Sequence, residues 1–189
     1  MTENEIIKTG RSVIRIEAEA VANLEKSINK DFVKAVEIIY AAKGRVVLTG
    51  MGKSGLVARK IVATLNSTGT AAIYLHPTDA LHGDLGMVRK EDVVIIISKS
   101  GLTDEISKLF PMFKRLGVKL IAMSGNPDSS LVKDSDIFLN ISVKEEACPH
   151  DLAPTSSTTA TLVMGDALSV ALLEKRGFTA EDFALLHPG

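Results

Sequence analysis

Isoleucine and valine recur every seven residues near the start of the chain, at Ile7, Ile14, Val21 and Ile28, with Ile6, Val13 and Leu24 beside them. Polar and charged residues fill the gaps, so the spacing predicts one amphipathic helix over 5–29. Its apolar stripe has two readings, packing on its own subunit or contact with another copy. A second helix is expected over 31–42, with Asp31 as its N-cap and Gly44 as its stop. From there the pattern alternates. Short apolar runs at 45–49, 71–75, 92–97, 118–123 and 136–141 read as strands, and the unbroken Val93-Val94-Ile95-Ile96-Ile97 implies burial on both faces. Helices are expected between them at 56–67, 103–116 and 128–133, and a largely apolar helix at 158–175. The polar loop at 142–157 is long, where compact domains mostly use about 4–6 residues, and loops of that length are more often functional than not.

Strands alternating with helices predict an α/β doubly wound, flavodoxin-like fold: a five-stranded parallel sheet flanked by helices. With 189 residues the chain reads as a single domain, in which N-terminal helices over 1–43 lead into an α/β core and C-terminal helices over 44–189. Such sheets bind ligands at the carboxyl ends of their strands. The residues with chemistry gather there, at 50–54, 76–84, 98–103 and 124–126.

Composition narrows the function. Aromatics are only 4%, with no Trp, so the core must be aliphatic, which suits a parallel sheet covered on both faces. A net charge of -1 leaves no basic stripe for nucleic acid. The lone cysteine, Cys148, excludes an internal disulfide and fits a reducing compartment. The first residues are polar and acidic, no signal-peptide pattern follows, and no apolar run reads as membrane-spanning. A cytoplasmic protein without a membrane partner is expected. The sequons at Asn66 and Asn140 are then expected to stay unmodified.

Two segments carry the candidate chemistry. Gly50-Met51-Gly52-Lys53-Ser54-Gly55 joins a strand to a helix with G-x-G-x-x-G spacing, and glycines there let backbone approach a phosphate. A dinucleotide site needs an acid near the end of the next strand, which instead runs Leu75-His76-Pro77. A Walker loop needs a glycine at Val47. A tight strand-to-helix turn with an incidental lysine also fits. Ser98-Lys99-Ser100-Gly101-Leu102-Thr103 sets three hydroxyls at the start of a helix, where the N–H groups are open. Serine and threonine are common helix caps, but capping needs only one of them. The expected arrangement puts a phosphate on this second loop and a carbon chain toward Lys53, with Gly52, Ser54, Ser98, Ser100, Thr103 and His82 among the binding residues.

The two loops resemble those of the SIS (sugar isomerase) family, and Gly50-Met51-Gly52-Lys53-Ser54-Gly55 resembles the Gly-Met-Gly-Lys-Ser-Gly of its arabinose 5-phosphate isomerases. His76-Pro77-Thr78-Asp79-Ala80-Leu81-His82-Gly83-Asp84-Leu85-Gly86, Glu146-Ala147-Cys148-Pro149, Leu152-Ala153-Pro154-Thr155-Ser156-Ser157-Thr158, Met164-Gly165-Asp166-Ala167-Leu168 and His187-Pro188-Gly189 extend the resemblance, in order, from about residue 11 to the end. It implies interconversion of D-ribulose 5-phosphate and D-arabinose 5-phosphate through an enediolate. It also implies supply of Kdo, a sugar of lipopolysaccharide and some capsules. It places catalytic residues at Lys53, Glu105, Glu146 and His187, in active sites formed between subunits of a homotetramer, with a phosphosugar as substrate. It implies no cofactor.

Such chemistry needs a base for a carbon-bound proton and groups that stabilise the enediolate. Glu146, in the long loop, is the expected base. Lys53 is expected to polarise the carbonyl, His187 to open the furanose ring, and Glu105 to orient Lys53. Each has a plain reading beside this one: Glu105 favouring a helix dipole, Glu145 and Glu146 as a solvated pair, His187 as a frayed end. No metal is required by this reading. His76, His82, His150 and Cys148 match no compact zinc spacing, and an inhibitory site near His82 is the one metal role left open. The chain departs from the family in three ways. It ends at Gly189, where most members continue into paired CBS modules, and reads as a short form or an isomerase domain alone. Leu56 stands where histidine is frequent, and Lys99 where a neutral or aromatic residue is common. Two other readings stay open: an isomerase of hexulose or heptose phosphates, and a non-catalytic sensor of a sugar phosphate or sugar nucleotide.

Overall fold

The computed structural model describes residues 1–101 and 103–187. Helix α1 (Glu3–Asn23) opens with a capping box, in which the Thr2 hydroxyl accepts from the Glu5 N–H and the Glu5 carboxylate from the Thr2 N–H. A 3-10 turn over Leu24–Ser27 follows, so the single helix expected over 5–29 breaks at Leu24. Helix α2 (Lys30–Ala41) is capped by Asn29 rather than Asp31. The Asn29 side chain accepts from the N–H groups of Asp31 and Phe32 at 2.8 and 3.4 Å, while Asp31, inside the first turn, pairs with Lys34. The seven-residue stripe is turned largely outward: Ile7, Ile14 and Ile28 are 44%, 71% and 46% exposed, and Ala20 and Leu24 face the body of the chain.

The remaining elements run β1 (Val46–Thr49), α3 (Gly52–Ser67), β2 (Ala72–Tyr74), α4 (Pro77–Leu81), β3 (Val93–Ser98), α5 (Asp104–Leu116), β4 (Lys119–Ser124), α6 (Ser130–Lys133), β5 (Ile137–Asn140), α7 (Ser156–Arg176) and α8 (Ala180–Leu186). All five strands pair in parallel, in the order β2-β1-β3-β4-β5. That is the doubly wound sheet the alternation predicts. Helix α3 begins inside the glycine segment expected to be loop. Helix α4 was legible as nothing more than a motif, being one turn with Pro77 at its start.

Period-two alternation of the strands sorts the core into two layers. Val46, Leu48, Ile95, Ile97, Ile121 and Met123 pack toward α2, α3 and α7, whereas Val47, Val94, Ile96, Leu120 and Ala122 pack toward α5 and α6. Helix α7 meets the spanning length and apolarity that the sequence reading assigned to no run. Half of that stretch is buried, and the helix packs on α1, α2 and α3. It meets α3 tightly at Gly165, where a Cβ would stand 2.4 Å from two carbons of the fully buried Ile61. Gly165→Ala is therefore expected to cost roughly 1–3 kcal/mol, read as a lowered Tm in thermal unfolding. At the β2 edge the Asn66 amide accepts from the Ala72 N–H at 2.8 Å and donates to the Ala72 carbonyl at 3.0 Å.

Candidate active site

Helix α3 leaves β1 toward one face of the sheet and α5 leaves β3 toward the other. The two connections diverge above neighbouring strands, which opens a crevice at their carboxyl ends. Two cavities occupy it. One, of about 230 Å³, is lined by Met51, Ser54, Ser98, Lys99, Ser100 and Thr103, among others. The second, of about 170 Å³, is lined by Met51, Lys53, Ser54, Lys99, Ser157 and Thr158, among others. Both segments singled out by sequence therefore meet at one place.

The glycine loop is fixed from below. The Tyr74 hydroxyl donates to the Gly50 carbonyl at 2.8 Å, and the Arg59 guanidinium lies 4.2 Å above the Tyr74 ring. Burial pushes the Tyr74 phenol up, against the opposing effect of Arg59, so the donor keeps its proton at neutral pH. The Met51 N-cap position of α3 supplies no side-chain hydrogen bond, which leaves the leading N–H groups of that helix without the usual side-chain acceptor. Lys53 is the second residue of the helix. It is exposed and makes no hydrogen bond or ion pair among the described residues.

The second loop is held by its own hydroxyls. Ser98 is buried, and its Oγ accepts from the Gly101 N–H at 3.1 Å. Gly101 has φ +78°, and a Cβ there would meet Ser129 Oγ at 2.2 Å, so the turn admits only glycine. Thr103 caps α5, accepting from the Ile106 N–H at 3.4 Å. Each of these hydroxyls still has a proton to give to an anion. Ser100 is tied back through its carbonyl, which accepts from Asn126 Nδ2 at 3.1 Å. Leu102 of the motif lies outside the described residues.

Glu146 is no solvated surface acid. It is buried, and its Oε1 accepts from Lys99 Nζ at 2.6 Å and from the Ser157 hydroxyl. Oε2 accepts from the N–H groups of Thr155 and Ser157 at 2.8 and 3.1 Å and from Thr155 Oγ1 at 3.3 Å. The Thr155 side chain provides no N-cap bond for α7, so a carboxylate nine residues upstream caps that helix instead. Burial pushes the Glu146 carboxyl up, but the bonds from Lys99, Ser157 and Thr155 outweigh it and bring the pKa down to about 2. The loop before the cap is tightly wound: the Glu146 N–H donates to Asp151 Oδ1 at 2.7 Å, and His150 and Asp151 adopt φ of 62° and 54°.

The structure thus gathers Lys53, Ser54, Ser98, Ser100 and Thr103 at the crevice, with Glu146 buried behind it and joined to it through Lys99 and Ser157. Glu105, half-buried in the first turn of α5, makes no ion pair with Lys53 among the described residues; of the two lysines that line the cavities, Lys99 is the one with an acidic partner. His187 ends the exposed helix α8, stacked on Phe183 with ring centroids 3.9 Å apart and its Nδ1 2.9 Å from the Phe183 carbonyl. Pro188 and Gly189 of its motif lie outside the described residues. His82 stands exposed at the end of α4, and no three His, Cys, Asp or Glu side chains gather into a metal-holding group among the described residues. Sequence reasoning missed Tyr74 and the pairing of Lys99 with Glu146. The departure of Lys99 from the family pattern was the available signal for the second.

Fold and site define a doubly wound α/β protein with a hydroxyl- and lysine-lined crevice at its switch point. Residues 38–171 match the SIS domain family model, and the chain belongs to the SIS-domain family. It is 57% identical over 190 residues to the arabinose 5-phosphate isomerase KdsD of Pseudomonas aeruginosa, covering 100% of this chain and 58% of that protein. Identity to the KdsD of Escherichia coli K12 is 57% over 182 residues, covering 96% of this chain and 56% of that protein. The chain therefore spans a little over half the length of these curated relatives. Among solved structures, an Escherichia coli CFT073 protein in complex with arabinose 5-phosphate superposes with a TM-score of 0.95 at 42% identity, over 100% of both chains.

Proposed function

We propose that this chain interconverts D-ribulose 5-phosphate and D-arabinose 5-phosphate. The observation that carries the reading is the full-length likeness to a protein solved in complex with arabinose 5-phosphate, joined to two adjoining cavities of the size and polarity a pentose phosphate needs. The phosphate rests on the loop from Ser98 to Thr103, and the carbon chain lies toward Lys53. From the ketose, a proton leaves C1 and returns to C2, while a hydroxyl proton passes from O1 to O2. Glu146 carries the carbon-bound proton, and Lys53 stabilises the enediolate oxygen at the start of α3. Glu105 and His187 complete the site, which forms between subunits of a homotetramer.

The exposed apolar residues Ile6, Ile7 and Ile14 on α1, with Phe183, Leu185 and Leu186 on α8, support such assembly. Light scattering should then give four times the 20.2 kDa of one chain. A cytoplasmic location and supply of Kdo synthesis follow the same reading.

The test is direct. With chelator present, the purified chain is expected to convert ribulose 5-phosphate to arabinose 5-phosphate. No turnover, with chelator or with added zinc, would replace the enzyme by a non-catalytic sugar-phosphate sensor. Turnover confined to hexulose or heptose phosphates would reassign the substrate.

A further inference from the structure

Met51, Ser54 and Lys99 line both cavities, and Lys99 alone of the three is charged. It sits within the loop whose Ser98, Ser100 and Thr103 face the larger cavity, and these are neutral donors. Just beyond them α5 opens with Asp104 and Glu105, which repel an approaching anion. A cation would add to these hydroxyls and to the N–H groups of the loop in holding a doubly charged phosphate, and Lys99 is the one the loop contains. Yet the Lys99 ammonium is spent on Glu146, 2.6 Å away across the crevice. The two partners are unequal: the Lys99 side chain is 49% exposed and that of Glu146 is 1% exposed. A lysine head is a compact charge on a flexible four-carbon stem, so the exposed partner can move and the buried one cannot. Glu146 can also part with it, since Thr155 and Ser157 continue to donate to both of its oxygens.

We propose that Lys99 is the phosphate-binding cation of this site and that Glu146 holds it in waiting. A phosphate seated on the Ser98–Thr103 loop takes over the ammonium and frees Glu146 Oε1 of its cation, leaving the Ser157 hydroxyl as its remaining donor. This rests on the phosphosugar reading above and deepens it. Oε1 is the atom that must accept a carbon-bound proton, and it is the atom Lys99 covers. One move both secures the substrate and uncovers the base.

The two charges then affect phosphate affinity with opposite sign. Calorimetric titration with inorganic phosphate, and separately with arabinose 5-phosphate, should show Lys99→Asn weakening binding by about tenfold or more, because a charge-assisted bond is lost. Lys99→Arg should retain affinity to within about threefold. Glu146→Gln should tighten binding several-fold, because Lys99 is released, and the double variant should match Lys99→Asn. A pair that serves only to hold the loops together predicts the reverse for Glu146→Gln, a loss. Unchanged affinity in Lys99→Asn, or weakening in Glu146→Gln, overturns the proposal. Should Glu146→Gln fail to fold, the exposed Lys99 variants decide alone. Turnover of ribulose 5-phosphate by the wild type is scored separately. Turnover with unaltered phosphate affinity in Lys99→Asn sinks the switch and keeps the isomerase, and absent turnover sinks the isomerase while the phosphate titrations still judge Lys99.

Discussion

Lys53→Ala is expected to lower kcat by about 10²–10³-fold, the effect of removing one preorganised donor from a developing oxyanion. The side chain projects from the first turn of α3 into the smaller cavity, unpaired among the described residues, so its charge is available to a reacting oxygen. Stability should respond the other way. A cation at a helix N-terminus opposes the macrodipole, at a cost of about 0.3–1 kcal/mol at exposed positions. Lys53→Ala should therefore melt at or slightly above the wild-type temperature while losing turnover. Steady-state kinetics alongside thermal unfolding checks both signs. A variant that kept most of its kcat would remove Lys53 from the mechanism.

Glu146→Ala should have the largest effect on the fold. It leaves the Thr155 and Ser157 N–H groups at the buried start of α7 without their acceptor and takes the partner from the half-exposed Lys99 ammonium. Losing such a partner costs on the order of 3 kcal/mol, or roughly 6–12 °C in Tm at this chain length. Glu146→Gln keeps an acceptor oxygen and should lose less. The same carboxylate makes stability depend on acid. Its pKa falls from 4.5 to about 2 on folding, so its contribution is complete above 4.5 and drains away as pH drops toward 2. Within that window the unfolded chain takes up a proton that the folded chain refuses. Denaturant titrations at pH 5 and pH 3 should show a steeper loss in wild type than in Glu146→Gln, and parallel curves would remove Glu146 from the acid limb.

Much of the architecture is visible in the pattern of apolar residues. Five runs became five parallel strands because each is aliphatic enough to be buried between helices, and Val93–Ile97 is the plainest case. Boundaries shifted where local chemistry was ambiguous. Gly52 does act as a turn former, with a left-handed φ of +55°, but the helix follows it at once and takes in Ser54, so α3 starts four residues before the expected 56. Asp31 was the expected cap, but Asn29, one residue before the helix, was in position to accept its first N–H groups. The site was legible as two loops and a lysine. The partnership of Lys99 and Glu146 was not, because the two are 47 positions apart and only the order of the strands brings their loops together. Nor does any local rule predict a helix capped from nine residues upstream, when Thr155 and Ser156 stand at its own start.

The Asn66 amide at the outer strand has a consequence for how copies of this chain can meet. An edge strand offers open N–H and C=O groups to any passing chain, and aggregation by strand addition begins there. Strand β2 is only three residues long, and Asn66 occupies both backbone polar groups of its first residue, Ala72, as a neighbouring strand would. The first residue of the edge is thereby closed to strand addition. Asn66 also opens the sequon Asn66-Ser67-Thr68, and a glycan on its nitrogen would have to break the bond to the Ala72 carbonyl. Moving such a chain into a glycosylating secretory compartment would thus unseal the sheet at the residue that guards it.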